Sequence, residues 1–142
     1  MAEYVYNPIQ TVESGQNVLL QDSIPCTRGY VIHRNGSGIL TLRGIVNNPC
    51  ASFARYKVEF NGNIAIPTGG TAGEISLALA IDGEPIQTSR ARVTPAVGAY
   101  FNVTSVANIT VPSGCCTTIS VENTSGVDID VQNANLTVDR TA

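Results

Sequence analysis

Residues 55–60 read Arg-Tyr-Lys-Val-Glu-Phe, and this stretch decides the fold class. Tyr56, Val58 and Phe60 alternate with charged residues, so in an extended chain the apolar side chains take one face and the charges take the other. In an α-helix, by contrast, apolar residues recur every three or four positions. The stretch therefore predicts a half-buried β-strand that covers a hydrophobic core.

A second stretch repeats this signal and adds a turn. Residues 75–81 place large aliphatic side chains at odd positions and small ones at even positions. Asp82-Gly83 follows directly, and this pair favours a tight hairpin, so we expect residues 85–92 to return as the partner strand. Because the even-numbered face is small and uncharged, we expect it to lie against another surface, such as a second copy of the chain.

Other short strands follow from the same pattern, with turns between them. They are predicted at residues 18–20, 30–33, 39–42, 100–111, 117–122 and 127–138. Asn35-Gly36 predicts one turn, other turns are predicted at Pro49 and in four Gly- or Pro-containing loops, and a change of face in the last strand predicts a bulge near Gln132-Asn133. About eight to ten antiparallel strands with turns every 8–12 residues or so predict an all-β jelly-roll sandwich.

The first sixteen residues show little of this alternation. We interpret residues 1–16 as an extended N-terminal arm and residues 17–142 as the jelly-roll domain. Tyrosine offers a large contact area at a low entropic cost, and an extended segment can add a strand to an exposed sheet edge. The residues predicted to anchor the protein to a particle are Tyr4, Val5, Tyr6, Pro8 and Ile9.

The charge content is low. Charged residues make up 13% of the chain and hydrophobic residues 43%, against about 25% charged residues in an average soluble domain. Such a surface favours association with copies of itself. Basic residues are scattered, apart from the Arg90 and Arg92 pair, so no nucleic-acid partner is predicted. No apolar run is long enough for a membrane span and no secretion signal is recognisable, so we expect synthesis in a bacterial cytoplasm and export only within an assembly.

The pattern of reactive residues predicts no enzyme, no cofactor and no metal site. His33 is the only histidine, and at the end of a predicted strand it is expected to be solvated or hydrogen-bonded rather than catalytic. Asp128 and Asp130 share a strand face, which is expected to be a plain solvent face because calcium needs six or more oxygen ligands. Gly69-Gly70 lacks the following Lys-Ser/Thr of a phosphate loop.

Four cysteines stand at positions 26, 50, 115 and 116. In a cytoplasmic product they are expected to be reduced, with a Cys26–Cys50 disulfide and a metal site as the weaker alternatives. For the adjacent Cys115 and Cys116 we expect one thiol in the core and one outside, since neighbours on a strand point to opposite faces. Five Asn-X-Ser/Thr sequons are interpreted as by-products of Asn- and Thr-rich strands.

From residue 53 onward the order of these features resembles a known family. The segments ARYKV (54–58), ISLALAIDGEPI (75–86), VENTSG (121–126) and ANLTVDR (134–140) are similar to bacterial members of the tumour-necrosis-factor/C1q-like jelly rolls. The resemblance is strongest to C-terminal domains of spore-surface collagen-like glycoproteins, and the chain also resembles small prophage-encoded proteins of gut Firmicutes. It implies a ten-stranded sandwich that assembles as a tight homotrimer around apolar and aromatic residues. The collagen stalk of the spore proteins is missing from this sequence.

Together these observations favour a non-enzymatic structural protein. We predict a homotrimer that decorates a large particle. The leading candidate for this particle is a bacteriophage capsid, with the arm bound to the major capsid protein. It would then sit on the virion surface. The alternatives are a spore-coat or exosporium protein, and a module that binds a cell-surface glycan or receptor; the absence of Trp counts against the latter.

Overall fold

The stretch at residues 55–60 lies in the longest strand of the protein. The structure is a computed structural model that describes residues 1–26, 29–46 and 50–141. In it, Tyr56, Val58 and Phe60 are fully buried, whereas Arg55 and Lys57 are exposed. The described residues form these strands: β1 (Ala2–Tyr6), β2 (Gln10–Val12), β3 (Gln21–Ile24), β4 (Val31–His33), β5 (Leu40–Arg43), β6 (Phe53–Ala65), β7 (Ile75–Ile81), β8 (Glu84–Pro85), β9 (Ala91–Val93), β10 (Phe101–Pro112), β11 (Cys116–Asn123) and β12 (Ile129–Arg140).

The strands form two antiparallel sheets packed face to face. Sheet 1 has the order β10-β6-β12-β1-β3, with β2 beside β12. Sheet 2 has the order β4-β5-β11-β7-β8, with β9 also beside β7. The described residues contain no α-helix, only a 3-10 turn at Gln87–Ser89. The fold is an all-β jelly roll, as predicted.

The core lies between the sheets, and a buried tyrosine ties them together. Aliphatic side chains from both inner faces fill the core, and burying each contributes about 1.5–3 kcal/mol relative to exposure. Tyr56, on β6 of sheet 1, donates its hydroxyl to the carbonyl oxygen of Arg43 on β5 of sheet 2 at 2.6 Å. A buried hydroxyl without a partner would be costly, so this hydrogen bond fixes the spacing of the sheets at that point.

The predicted turns are present, but the hairpin after β7 is shorter than expected. Asp82 and Gly83 both have positive φ, at 51° and 85°, as a type I′ turn requires. The returning strand β8 ends at Pro85 because Ser89 bends the chain: its hydroxyl donates to the carbonyl of Ile86 at 2.7 Å and accepts from the amide of Leu79 at 3.0 Å. Strand pairing with β7 resumes in β9.

Two further predictions have clear outcomes. The bulge near Gln132-Asn133 is confirmed, since the register of β12 against β6 shifts there and Asn133 has a φ of 55°. The strand predicted at residues 18–20 is absent; only the amide of Val18 is bonded to β11, at the carbonyl of Val121. The turn predicted at Pro49 lies outside the described residues.

The extended arm predicted for residues 1–16 is instead part of sheet 1. Ala2–Tyr6 forms β1, which pairs with β12 on one side and β3 on the other. Tyr4 is 1% exposed and belongs to the core. The boundary predicted after residue 16 therefore falls between strands of one sheet. β1 cannot detach as an arm without exposing the backbone of its two neighbours, β12 and β3.

The small face of β7 is also occupied within the chain. Ala78 and Ala80 are fully buried, although we expected a second copy to cover them. The side chain of Arg90 reaches this side of the sheet, where Nε donates to the Ser76 hydroxyl at 3.2 Å and Nη2 to the carbonyl of Thr124 at 3.3 Å. A subunit contact must therefore use another surface.

The two ends of the sandwich differ. The start of β1 and the last residues of β12 lie at one end, where Ala2 is opposite Val138 and the Met1 amino group is 3.8 Å from the Asp139 carboxylate. The opposite end, here called the distal end, carries the loops at residues 66–74, 94–100 and 124–128. The distal end therefore points away from the end that carries Met1 and Asp139.

Candidate functional site

The Asp22–His33 pair has half of the geometry of a catalytic triad. Nδ1 of His33 lies 2.6 Å from Oδ1 of Asp22, and the imidazole is 1% exposed. In a triad the other ring nitrogen must face a nucleophile. Here Nε2 lies 2.8 Å from the carbonyl oxygen of Ser37 instead. The expectation of a hydrogen-bonded His33 is confirmed, but the side chain is buried rather than solvated, and its geometry does not suit general-base chemistry.

Within the described part of the chain, the acidic side chains and the cysteines are not gathered into a metal-binding cluster either. Asp130 accepts from the Thr11 hydroxyl at 2.7 Å, and Asp128 is exposed before β12 begins. Across the described residues, no three His, Cys, Asp or Glu side chains lie close enough to hold a metal ion. Cys115 and Cys116 are free and both exposed, so the expectation that one is in the core is wrong. Cys115 still belongs to the Gly114 turn, and Cys116 begins β11 on its outer face.

The predicted anchor residues have different environments. The side chain of Tyr4 is in the core, and Val5 and Tyr6 are half-buried. Pro8 and Ile9 are exposed in the turn between β1 and β2, and Ile9 is 52% exposed. Of the five, these last two are the most exposed, and Tyr4 alone is fully buried.

One edge of the sandwich is long and uncharged, and it exposes apolar side chains among Asn and Thr. Strand β10 pairs along its full length with β6 and ends sheet 1. It exposes Phe101 and Val106 at 49% and 43%, and Tyr100 lies just before it. Monomeric proteins usually protect such a strand with Lys, Pro or a bulge. Residues 93–121 contain no charged side chain, a signal that is already visible in the sequence.

The opposite edge carries a second apolar surface, on the side where β3 and β4 end their sheets. The aliphatic side chains exposed there by about half are Leu19, Ile24, Ile32 and Ile39. Gly38 is close to Leu19, since a Cβ at Gly38 would lie 3.6 Å from Cδ2 of Leu19. We call these two surfaces the β10 edge and the β3–β4 edge.

Between the two edges, the outer face of sheet 1 carries a band of carboxamides. Asn102 donates to the Oδ1 atoms of Asn61 and Asn63 at 2.8 and 3.2 Å, and Asn63 donates to Asn133 at 3.2 Å. Asn133 continues the band by donating to Asn7. Cross-strand pairs of this kind stabilise a sheet, and the band presents a flat, neutral, polar surface.

A depression opens at the distal end. It has a volume of about 410 Å³ and is lined by residues 66–71 together with Val127 and Asp128. Val127 is 45% exposed at its rim. Nearby, burial raises the pKa of the Tyr100 hydroxyl, and the carboxylate of Asp130 raises it further. The lining of the depression is partly polar, because Asp128 supplies a carboxylate and Thr68 and Thr71 each supply a hydroxyl.

Comparison with known proteins shows a similar fold but no matching family. No protein-family profile and no curated protein matches the chain. Among solved structures, the globular domain of zebrafish complement 1qA matches 96% of this chain and 94% of its own, with a TM-score of 0.56 and 14% identity. The CBM22-1 xylan-binding domain of Paenibacillus barcinonensis Xyn10C aligns over 99% of this chain and 87% of its own, with a TM-score of 0.41 and 9% identity. The protein thus has a jelly-roll fold similar to that of the C1q globular domain.

Proposed function

We propose that this protein is a non-enzymatic structural subunit that assembles into a cyclic homotrimer. The observation that carries the proposal is the pair of apolar surfaces on opposite sides of the sandwich. In a closed ring each contact is heterologous, so every subunit must offer two different surfaces to its two neighbours. The β10 edge and the β3–β4 edge meet that requirement, and the ring size of three follows from the resemblance to C1q-like proteins.

The charge distribution supports the same arrangement. β10 itself carries no charged side chain, so an interface confined to this strand avoids the penalty of a buried ion; the nearest charges, Lys57 and Glu59, lie on the neighbouring strand β6. A specific interface buries about 800 Å² per partner, with aromatic residues at its centre. Tyr100 and Phe101 supply aromatic area at the distal end of β10, and Val106 adds an exposed aliphatic side chain on the outer face further along the strand.

A matched pair of substitutions tests the assembly. Val106 on the β10 edge and Val127 at the distal end are 43% and 45% exposed, so Val→Lys makes the same chemical change at equal exposure. We expect V106K to yield a folded monomer and V127K to leave the oligomer intact, with mass measured by multi-angle light scattering. Equal masses for the two variants would overturn the assignment of the β10 edge, and a wild-type dimer would point to edge-to-edge pairing of β10 instead.

We further propose that the trimer decorates a bacteriophage capsid, with a spore surface as the alternative. The resemblance to prophage-encoded and spore-surface proteins supports this step. Contact with a capsid protein would use Pro8 and Ile9, because Tyr4 belongs to the core. In this arrangement the capsid is the partner of the trimer. The distal end or the outer faces of the sheets then stay accessible for display.

Immunogold electron microscopy of the source bacterium distinguishes these locations. Antibody against the purified protein is applied to particles released after prophage induction and to spores of the same strain. Gold on phage heads supports the capsid, gold on spores supports the alternative, and gold on neither contradicts both. On a positive particle, I9S should reduce occupancy while the trimer mass is unchanged, if Ile9 is the anchor.

Glycan binding is a second candidate, and the distal depression is the observation in its favour. Asp128 and the hydroxyls of Thr68 and Thr71 could accept and donate hydrogen bonds to sugar hydroxyls. The test is a glycan array probed with wild type and D128A. Binding that D128A abolishes supports the candidate, and an array without signal removes it.

A further inference from the structure

Glu122 lies on the outer face of sheet 2, in β11, between two neighbouring segments. It is opposite Ala78 of β7 on one side and forms a bridge with Asn17 on the other. Directly opposite residues of an antiparallel pair point to the same face, so the Glu122 side chain stands beside the Ala78 methyl group. Ala78 is buried, and so is Ser120, two residues before Glu122 in the strand. The carboxylate therefore leaves the sheet from a covered patch rather than from an open surface.

One oxygen of this carboxylate is enclosed and has no partner. Oε2 of Glu122 is buried, and it makes no hydrogen bond with any of the described residues. The ion pairs found in the same part of the chain do not include Glu122. Buried polar atoms are nearly always hydrogen-bonded, and an ionised group without a partner is far more costly to bury than a neutral one. The site thus disfavours the carboxylate and tolerates the acid.

We propose that Glu122 is a proton-dependent switch on the outer face of sheet 2, at which the fold accommodates the neutral acid and is weakened when the acid ionises. Burial is the main reason that the pKa of the Glu122 carboxyl is raised above its ordinary value, and the charge of Glu84 raises it further. Glu84 is in β8, which pairs with β7 on the side away from β11. An ionised Glu122 would thus be repelled by a second carboxylate across β7.

The other ionisable groups around this patch do not compensate the charge. β7 contributes none. Arg90 reaches the same side of the sheet, but its guanidinium donates to the Ser76 hydroxyl and the Thr124 carbonyl, at 3.2 and 3.3 Å. Glu13, in the segment on the other side of β11, is exposed and has a charge of the same sign. Protonation of Glu122 is therefore what removes the unfavourable charge.

The direction of the effect follows from the raised pKa. The folded state holds the proton of Glu122 more tightly than the unfolded chain does. The stability that this proton contributes is fully present below the ordinary pKa of glutamate, and it is lost as the pH rises through the higher pKa of the folded state. Mild acid should therefore strengthen the fold at this position. The switch lies within one chain and would operate in a monomer as in an oligomer.

The ¹³C resonances of the carboxyl groups give a direct test on the wild-type protein. The Glu122 signal is identified by its absence from the spectrum of E122Q. Its titration midpoint in the folded protein should lie above 4.5, the ordinary value for glutamate. A midpoint at or below 4.5 would overturn the proposal.

Denaturant unfolding at a series of pH values tests the consequence. The folding constant of wild type relative to E122Q should fall between about pH 4 and 8, tenfold for each pH unit by which the midpoint exceeds 4.5. In an E84Q background, which lacks the neighbouring charge, the same comparison should show a smaller fall. In an E59Q background, which lacks a carboxylate paired with Lys57 at 3.1 Å, the fall should be as large as in wild type. An identical response of wild type and E122Q to pH would contradict the proposal.

Discussion

Replacement of Tyr4 by alanine distinguishes a core strand from a docking arm. Tyr4 is 1% exposed, packs on His33 and lies in a strand with neighbours on both sides. Truncation of a buried aromatic residue to alanine costs about 3–5 kcal/mol. Domains of this size unfold with a free energy of about 5–15 kcal/mol, so we expect Y4A to be folded only marginally.

Chemical denaturation followed by tyrosine fluorescence or circular dichroism gives the change in unfolding free energy. Ile9→Ala serves as the control, because Ile9 belongs to the same predicted arm but is 52% exposed. That change should alter stability by no more than about 0.5 kcal/mol. If Y4A were as stable as I9A, β1 would not be an integral strand, and the reasoning from its burial would be refuted.

Three further expectations follow from buried and exposed groups. Asn123 is fully buried and donates to the carbonyls of Val12 and Val127, both at 2.9 Å, so N123A should lower the melting temperature and cost at least about 2 kcal/mol by denaturation. Cys115→Ser and Cys116→Ser should change stability by less than about 0.5 kcal/mol, because both thiols are exposed; a larger loss in a thermal melt would contradict their placement. With the pKa of Tyr4 at about 12 against the ordinary value near 10, stability should fall as the pH rises from about 10 through about 12, and Y4F should remove the last step of the tyrosinate absorbance titration.

Strands with local periodicity were predictable from sequence, whereas their long-range partners were not. The alternation around Tyr56 predicts both a strand and its buried face. β1 is five residues long, and its burial depends on β12, more than a hundred residues away in the chain. A short segment with little alternation gives no sign of such a partner, so the sequence alone favours a docking role for Tyr4.

The surfaces were harder to predict than the core, for a related reason. The even-numbered face of β7 is covered within the chain, on a side that the Arg90 side chain reaches. The position of one arginine side chain leaves no periodic signal in the sequence. The charge-free run at residues 93–121 was visible in the sequence, but its meaning depends on β10 being an edge strand.

The central claim is that two opposite edges of one sandwich close a ring. The most direct test is the mass of the wild-type protein in solution, measured by size-exclusion chromatography with multi-angle light scattering at sub-micromolar concentration. A cyclic trimer predicts a mass of three times the 14.9 kDa of one chain, unchanged on dilution. A mass of 14.9 kDa would contradict the claim.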